Sequence, residues 1–192
     1  GCANDPELIE QVNYATAVEV AATGLHWTFA PCITIPKDDR WGRQYEGFSE
    51  SSELVTSLTE SAIKGYEDAL PVLGGRKIAA CAKHFIGDGG TTWDSGTLQE
   101  GMHKYRLDRG DTKITEEELR EVHLPPYLEA IKAGVKTIMI SFNSWNGIKC
   151  HGNKFLINDL LKDELGFRGL VVSDWAGIDE IPGDYKSDVI SS

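Results

Sequence analysis

The sequence predicts an α/β fold with parallel strands, part of a (β/α)8 TIM barrel whose chemical groups lie at the C-terminal strand ends. Three observations predict it. Strand-like apolar runs alternate with helical patterns along the 192 residues, which calls for βαβ units and a parallel sheet. Polar and aromatic clusters recur where those runs stop, at Asp38 to Glu46, Lys83-His84, Asn143 to Asn146 and Asp174-Trp175. A barrel gathers such clusters around one mouth, whereas a doubly wound sheet concentrates them at one switch point. Finally, Leu170 to Val172 is a continuous apolar run between Gly169 and Gly177. It suits a strand buried on both faces that delivers Asp174 to the barrel edge. The strands are too few to close a barrel, so residues 1–192 are expected to be a partial barrel.

Each element has its own local signal. Asp5-Pro6-Glu7 starts a helix, with Asp5 as cap, Pro6 at the first helical position and Glu7 at the positive end of the dipole. Ile9, Val12 and Val20 supply its apolar positions and Gly24 its stop. Leu25 to Pro31 reads as a strand with Trp27 and Phe29 on one face, and the polar, aromatic loop Lys37 to Glu46 follows. Ser52 to Tyr66 is a helix with Leu54, Val55, Leu58 and Ile63 inward, and Pro71 to Gly75 is a linker.

Lys77 to Phe85 reads as a second strand, ending in Lys83-His84, and a long loop with scattered glycines from Gly87 to Gly110 comes next. Loops of that length are usually functional or mobile. Thr115 to Glu118 is a capping box, and Pro125-Pro126 must break or kink the helix it opens. Thr137 to Ser141 is a third strand. Asn153 to Leu165 is a helix stopped by Gly166, and the strand leading to Asp174 follows it.

The formal net charge of -11 argues against nucleic acid and anionic membrane surfaces, both of which require a basic footprint. It is compatible with a neutral ligand such as a sugar, and most simply reads as solubility. The four cysteines, Cys2, Cys32, Cys81 and Cys150, form no CxxC pair, so no zinc or thioredoxin motif arises. Cys81 is expected to be a buried free thiol. No run nears the roughly 18 apolar residues that span a bilayer, and no signal peptide is visible. The glycines match neither GxGxxG nor GxxxxGK[ST], so no nucleotide cofactor is implied.

Taken singly, the strand-end residues are ambiguous. Asp174 alone reads more readily as a capping or ion-paired carboxylate than as a reactive one. Lys83-His84 reads as a surface lysine with a hydrogen-bonded histidine, or as a Schiff-base lysine if desolvated.

Together they are specific. Asp38 to Arg43, Ala82 to Thr91, Ser144 to Gly147 and Val171 to Trp175 occur in that order, and the chain resembles glycoside hydrolase family 3 on its β-glucosidase and β-glucan exohydrolase side. The resemblance implies a retaining hydrolase that releases glucose from the non-reducing end of β-glucosides or gluco-oligosaccharides, without cofactor or metal. Asp174 matches the nucleophile, which forms a covalent glycosyl-enzyme while a second carboxyl group protonates the leaving oxygen. Arg43, Lys83 and His84 match groups that hold the hydroxyls of the terminal glucose. Trp175 matches a tryptophan bordering the sugar.

Two departures stand out. Some members have Tyr where this chain has Phe142, so Asp174 must be positioned by other groups. The Thr92 to Arg106 loop differs from the commonest pattern, and its Trp93, His103, Tyr105 and Arg106 either border the aglycone or belong to a variable surface insertion.

By resemblance, the barrel start, the barrel end and a second α/β domain carrying the acid/base lie outside residues 1–192. The chain is then a fragment with little activity of its own, and a periplasmic or secreted location is the family expectation. A different class of reading is a non-catalytic carbohydrate-binding remnant. The family's β-N-acetylglucosaminidase branch fits less well, because its Lys-His-Phe-Pro-Gly-His-Gly motif stands here as Lys83 to Gly89 with Ile86 and Asp88.

Overall fold

The computed structural model describes residues 1–68, 71, 74–75, 77–96, 98–99 and 103–181. Val72, Leu73 and Gly101, which the sequence places in the linker and the glycine-rich loop, lie outside the described residues, as does the side chain of His103.

Helix α1 (Pro6–Ala22) starts as expected, with the Asp5 carboxylate accepting the Leu8 amide at 3.1 Å. Its buried face is not the expected one. Asn13, Ala17 and Ala21 are buried, while Val12 is 54% exposed. The reason is a close approach to helix α2 (Ser52–Glu67). A Cβ at Gly65 would stand 2.5 Å from the Glu10 carbonyl oxygen, and the Asn13 side-chain amide donates to the Ala62 carbonyl at 3.0 Å. Small side chains fit that seam and larger ones do not.

Three strands form a parallel sheet in the order β1 (Cys81–Phe85), β5 (Thr137–Ile140), β8 (Leu170–Val172). The intervening strands are short. Strands β2 (Leu98–Gln99) and β3 (His103–Lys104) pair antiparallel; β4 (Asp111–Thr112) pairs parallel with β6 (Ser144–Trp145), which hairpins into β7 (Ile148–Lys149).

The segment expected as the strand Leu25 to Pro31 does lie beside β1, but as an irregular ladder. It bridges at Trp27–Ala79 and Cys32–Lys83. Pro31 has no amide to donate, which breaks regular pairing. The buried stretch continues past it, from Pro31 to Pro36. Strand β1 is shorter than predicted at its start, and Lys83 and His84 sit within its last residues as expected.

The capping box at Thr115 is present and opens α3 (Glu116–Glu118). The predicted break at Pro125-Pro126 is absorbed differently. The helix widens into a π turn over Leu119–His123, where the Leu124 amide reaches back to the Leu119 carbonyl at 3.1 Å. The prolines then occupy the first turn of α4 (Pro125–Lys132), where their missing amides cost little. A last helix, Phe155–Glu164, carries π-type bonding and buries Leu156, Leu160 and Leu161. The core lies between these helices and the sheet, around Ile33, Ile78, Phe85, Tyr127 and Ile138.

One expectation fails at β8. The run predicted to be buried on both faces is partly exposed, with Leu170 at 58%. Among the described residues β8 pairs with β5 alone, so it is an edge strand, and its outer side has no neighbour to cover it.

Candidate active site

The ends of β1, β5 and β8 open into one small polar cleft. Arg43, His84, Asp88, Asp108, Arg109 and Asp174 line it, with Ser141 to Asn143 from the end of β5. At about 60 Å³ it is far smaller than the ~300–1,000 Å³ usual for a small-molecule site.

His84 is its hub. Buried within β1, it places Nδ1 2.8 Å from Asp88 Oδ2 and Nε2 3.0 Å from Arg43 Nη2. Asp88 is itself buried, and its Oδ1 accepts the Thr34 hydroxyl at 2.8 Å. Burial pushes the Asp88 pKa up, and His84, the Thr34 hydroxyl and the nearby Arg43 together outweigh that push, leaving it below the ordinary value.

For His84, burial disfavours the charged ring, and Asp88 overcomes it to pull the pKa up to about 9. The Arg43 contact pulls the other way, because a guanidinium only donates. A neutral ring protonated on Nδ1 satisfies both contacts: Nδ1–H donates to Asp88 and Nε2 accepts from Arg43.

Arg43 is held by a two-pronged ion pair with Glu46, at 2.7 and 2.8 Å. That pair raises the arginine pKa and lowers that of the carboxylate. Lys83 Nζ lies 3.9 Å from the same Glu46. A carboxylate faces this amine, whereas a Schiff-base lysine works in an apolar pocket.

Asp174 follows β8. Its Oδ1 accepts the Trp175 amide at 2.6 Å, and its Oδ2 stands 3.8 Å from His84 Nε2. Its own amide donates to His151 Nε2 at 3.0 Å. The structure thus brings Arg43, His84 and Asp174 together, with Lys83 tied in through Glu46. Trp175 is adjacent in sequence, but its indole is 85% exposed.

A second ring of groups comes from the loops. Buried Trp41 donates to Asp108 at 3.1 Å. The Arg109 guanidinium stacks 4.3 Å from the Phe142 ring, whose other contacts include Lys149 at 5.2 Å. Trp93 lies under Arg40 at 3.9 Å, and Arg106 pairs with Asp94 at 2.5 Å, so the two polar loops touch each other.

Sequence reasoning missed Glu46, Asp88, Asp108, Arg109 and His151 as site residues. Glu46 stood three positions from Arg43 on a turn, which is a usable signal. The Asn146-Gly147 pair, whose φ values of 49° and 84° make a tight hairpin, joins β6 to β7 and leads the chain back to His151 beside the Asp174 amide. Among the described residues, no group of three or more His, Cys, Asp and Glu side chains is placed to hold a metal ion. No described helix is long and apolar enough to cross a membrane.

Comparison with known proteins finds a match to the family model described as Glycosyl hydrolase family 3 N terminal domain over residues 1–189. A beta-xylosidase of Formosa agariphila is 34% identical over 173 residues, covering 88% of this chain and 22% of that protein. The exo-1,3/1,4-beta-glucanase of a Pseudoalteromonas species is 44% identical, with a TM-score of 0.80 over 93% of this chain and 21% of its own. A beta-glucosidase of Listeria innocua, solved in complex with glucose, is 31% identical, with a TM-score of 0.80 over 93% of this chain and 24% of that one. The chain spans about a fifth of the length of the curated relatives it matches.

Proposed function

Since the chain belongs to the glycosyl hydrolase family 3 N-terminal domain family, we propose that Asp174 is the nucleophile of a retaining β-glucosidase or exo-β-glucanase. The observation that carries the proposal is the placement of Asp174 Oδ2, 3.8 Å from His84 Nε2, in a cleft shared with Arg43. A carboxylate beside fixed hydrogen-bonding groups, at the C-terminal end of a parallel strand, is the arrangement a retaining hydrolase requires.

In the first step Oδ2 attacks the anomeric carbon. The bond to the aglycone oxygen breaks, and that oxygen takes a proton from an acid group. In the second step water attacks the same carbon, returns its proton to that group and releases the Asp174 carboxylate and the sugar.

The proton donor is assigned to a part of the protein outside residues 1–192. Of the other cleft carboxylates, Asp88 has both oxygens committed and Asp108 accepts from Trp41 and faces Arg109, while the neighbouring Glu46 is clamped by Arg43. The small cleft and the limited span of the chain agree with a site completed elsewhere.

Arg43, Lys83 and His84 hold hydroxyls of the terminal glucose. Their own partners fix them in advance, so orientation is set before substrate arrives. Trp175 offers a flat apolar face to the C–H face of the ring. Substrates are β-linked glucosides and gluco-oligosaccharides.

Initial rates on p-nitrophenyl β-glucoside, β-xyloside and β-N-acetylglucosaminide test the substrate assignment with the full-length protein. A clear preference for the glucoside is expected. Preference for the xyloside, the sugar without the hydroxymethyl group, would overturn it. Glucose binding without turnover or covalent adduct would leave a carbohydrate-binding module in its place.

A further inference from the structure

We infer that His151 is a positioning residue for Asp174, holding the nucleophile's peptide by a hydrogen bond that its imidazole accepts; the inference rests on the nucleophile assignment above. The bond runs from the Asp174 amide to His151 Nε2 at 3.0 Å. It joins the turn after β7 to the segment after β8 across 23 residues of sequence. An amide only donates, so Nε2 must be unprotonated and the ring proton must sit on Nδ1. The Ser141 backbone lies beside the ring and favours its protonated form. The imidazole therefore ties the turn after β7 to the residue that follows β8.

The surroundings are built to this ring. A Cβ at Gly177 would stand 2.4 Å from His151 Nε2, so only glycine leaves it room. Phe142 meets the imidazole edge to face, with centroids 6.1 Å apart. Lys149 and Glu180, joined by a 2.7 Å ion pair, both act on the ring. The charged groups facing the ring are Asp174, Lys149 and Glu180. Burial lowers the His151 pKa and Lys149 works in the same direction, while Asp174, the Ser141 backbone and Glu180 oppose them. The net lowering keeps the ring neutral and Nε2 free to accept. Ala176, at a φ of 51°, bends the chain sharply just after the nucleophile, and the anchored amide fixes where that bend begins.

Phe142 supplies no hydroxyl to steady the carboxylate. His151 acts instead through the backbone: it sets the origin of the side chain, and the Trp175 amide on Oδ1 sets its rotation. Displacing the Asp174 backbone moves the attacking oxygen relative to the anomeric carbon, and this is felt in bond making more than in sugar binding.

The test uses the full-length protein, with His151→Gln, His151→Leu and Gly177→Ala. Gln carries an acceptor oxygen at the position of Nε2, while Leu has none. The Ala methyl group at position 177 drives the ring off its site. His151→Leu and Gly177→Ala should lower kcat on an aryl β-glucoside on the order of 10²-fold with KM within about threefold, and His151→Gln should recover most of it.

Equal losses in Gln and Leu, a loss confined to KM, or a lowered Tm with unchanged kcat would each overturn the inference. If Leu does not fold, His151→Gln and Gly177→Ala decide alone: wild-type kcat in Gly177→Ala, or a Gln variant as slow as it, refutes the role. Covalent labelling of the unmodified enzyme by a 2-deoxy-2-fluoroglucoside separates the two claims. Labelling away from Asp174 refutes the nucleophile assignment itself, whereas labelling at Asp174 with fully active His151→Leu refutes only the positioning role.

Discussion

Replacing Asp88 by Ala should destabilise the protein by about 4 kcal/mol, the sum of what the carboxylate holds less the burial penalty it carries. Two donors lose their acceptor, the Thr34 hydroxyl and His84 Nδ1–H, each at 2.8 Å and each buried. Hydrogen bonds to a charged group are worth about 1.5–3 kcal/mol apiece, and removing one partner of a buried pair typically costs about 3–5 kcal/mol. Asp88→Asn keeps one acceptor and the volume, so about 2 kcal/mol is expected for it. The site should suffer as well. Without Asp88 nothing holds the His84 proton on Nδ1, and a proton on Nε2 confronts the Arg43 guanidinium at 3.0 Å. Urea unfolding at neutral pH, followed by tryptophan fluorescence, measures the stability change. A loss under about 1 kcal/mol for Asp88→Ala would refute the claim that this carboxylate organises the cleft floor.

Other outcomes are equally open to measurement. Burial lowers the pKa of His123 from 6.5 to about 4. The unfolded chain therefore takes up this proton first, so stability is full above 6.5 and falls by about 3 kcal/mol as pH drops through that window to about 4. Unfolding midpoints across the window should show that limb, and His123→Gln should flatten it; an unchanged slope would count against the burial argument. Gly89→Ala should cost about 1–3 kcal/mol, because its Cβ would stand 2.3 Å from the Ile35 carbonyl oxygen; a thermal melt equal to that of the unsubstituted protein would show that the backbone yields there freely. Residues 1–192 alone should turn over an aryl β-glucoside at no more than the uncatalysed rate, and substantial turnover would place the proton donor within them.

What the sequence makes legible follows the range of the interactions involved. Caps are local, so Asp5, Thr115 and Gly166 are readable from neighbouring residues. The alternation of strand and helix is also local, and the parallel order β1-β5-β8 follows from it. The buried face of α1 is not local. Val12 fits a helical apolar stripe, but Gly65 on another helix decides that alanines face inward. The exposure of Leu170 depends on which strands flank β8, and no property of the run Leu170 to Val172 encodes that.

The site divides in the same way. Arg43, Lys83, His84 and Asp174 are proposed because several motifs stand in a fixed order. Their partners have no such signature. Asp88 becomes recognisable only when β1 and the Thr34 segment lie side by side, and His151 only when the 174–177 turn reaches it. Prolines mislead in one place. Pro125-Pro126 reads as a break, but widening the preceding turn removes the need for it.

The central claim is that Asp174 attacks the anomeric carbon, and trapping the covalent intermediate tests it most directly. The full-length protein is incubated with a dinitrophenyl 2-deoxy-2-fluoro-β-glucoside, which slows release of the glycosyl-enzyme, and is then digested for peptide mass mapping. The account predicts one fluoroglucosyl group on the peptide containing Asp174, and none in Asp174→Ala. A label on another carboxylate, or an unlabelled enzyme that still turns over glucosides, would contradict it.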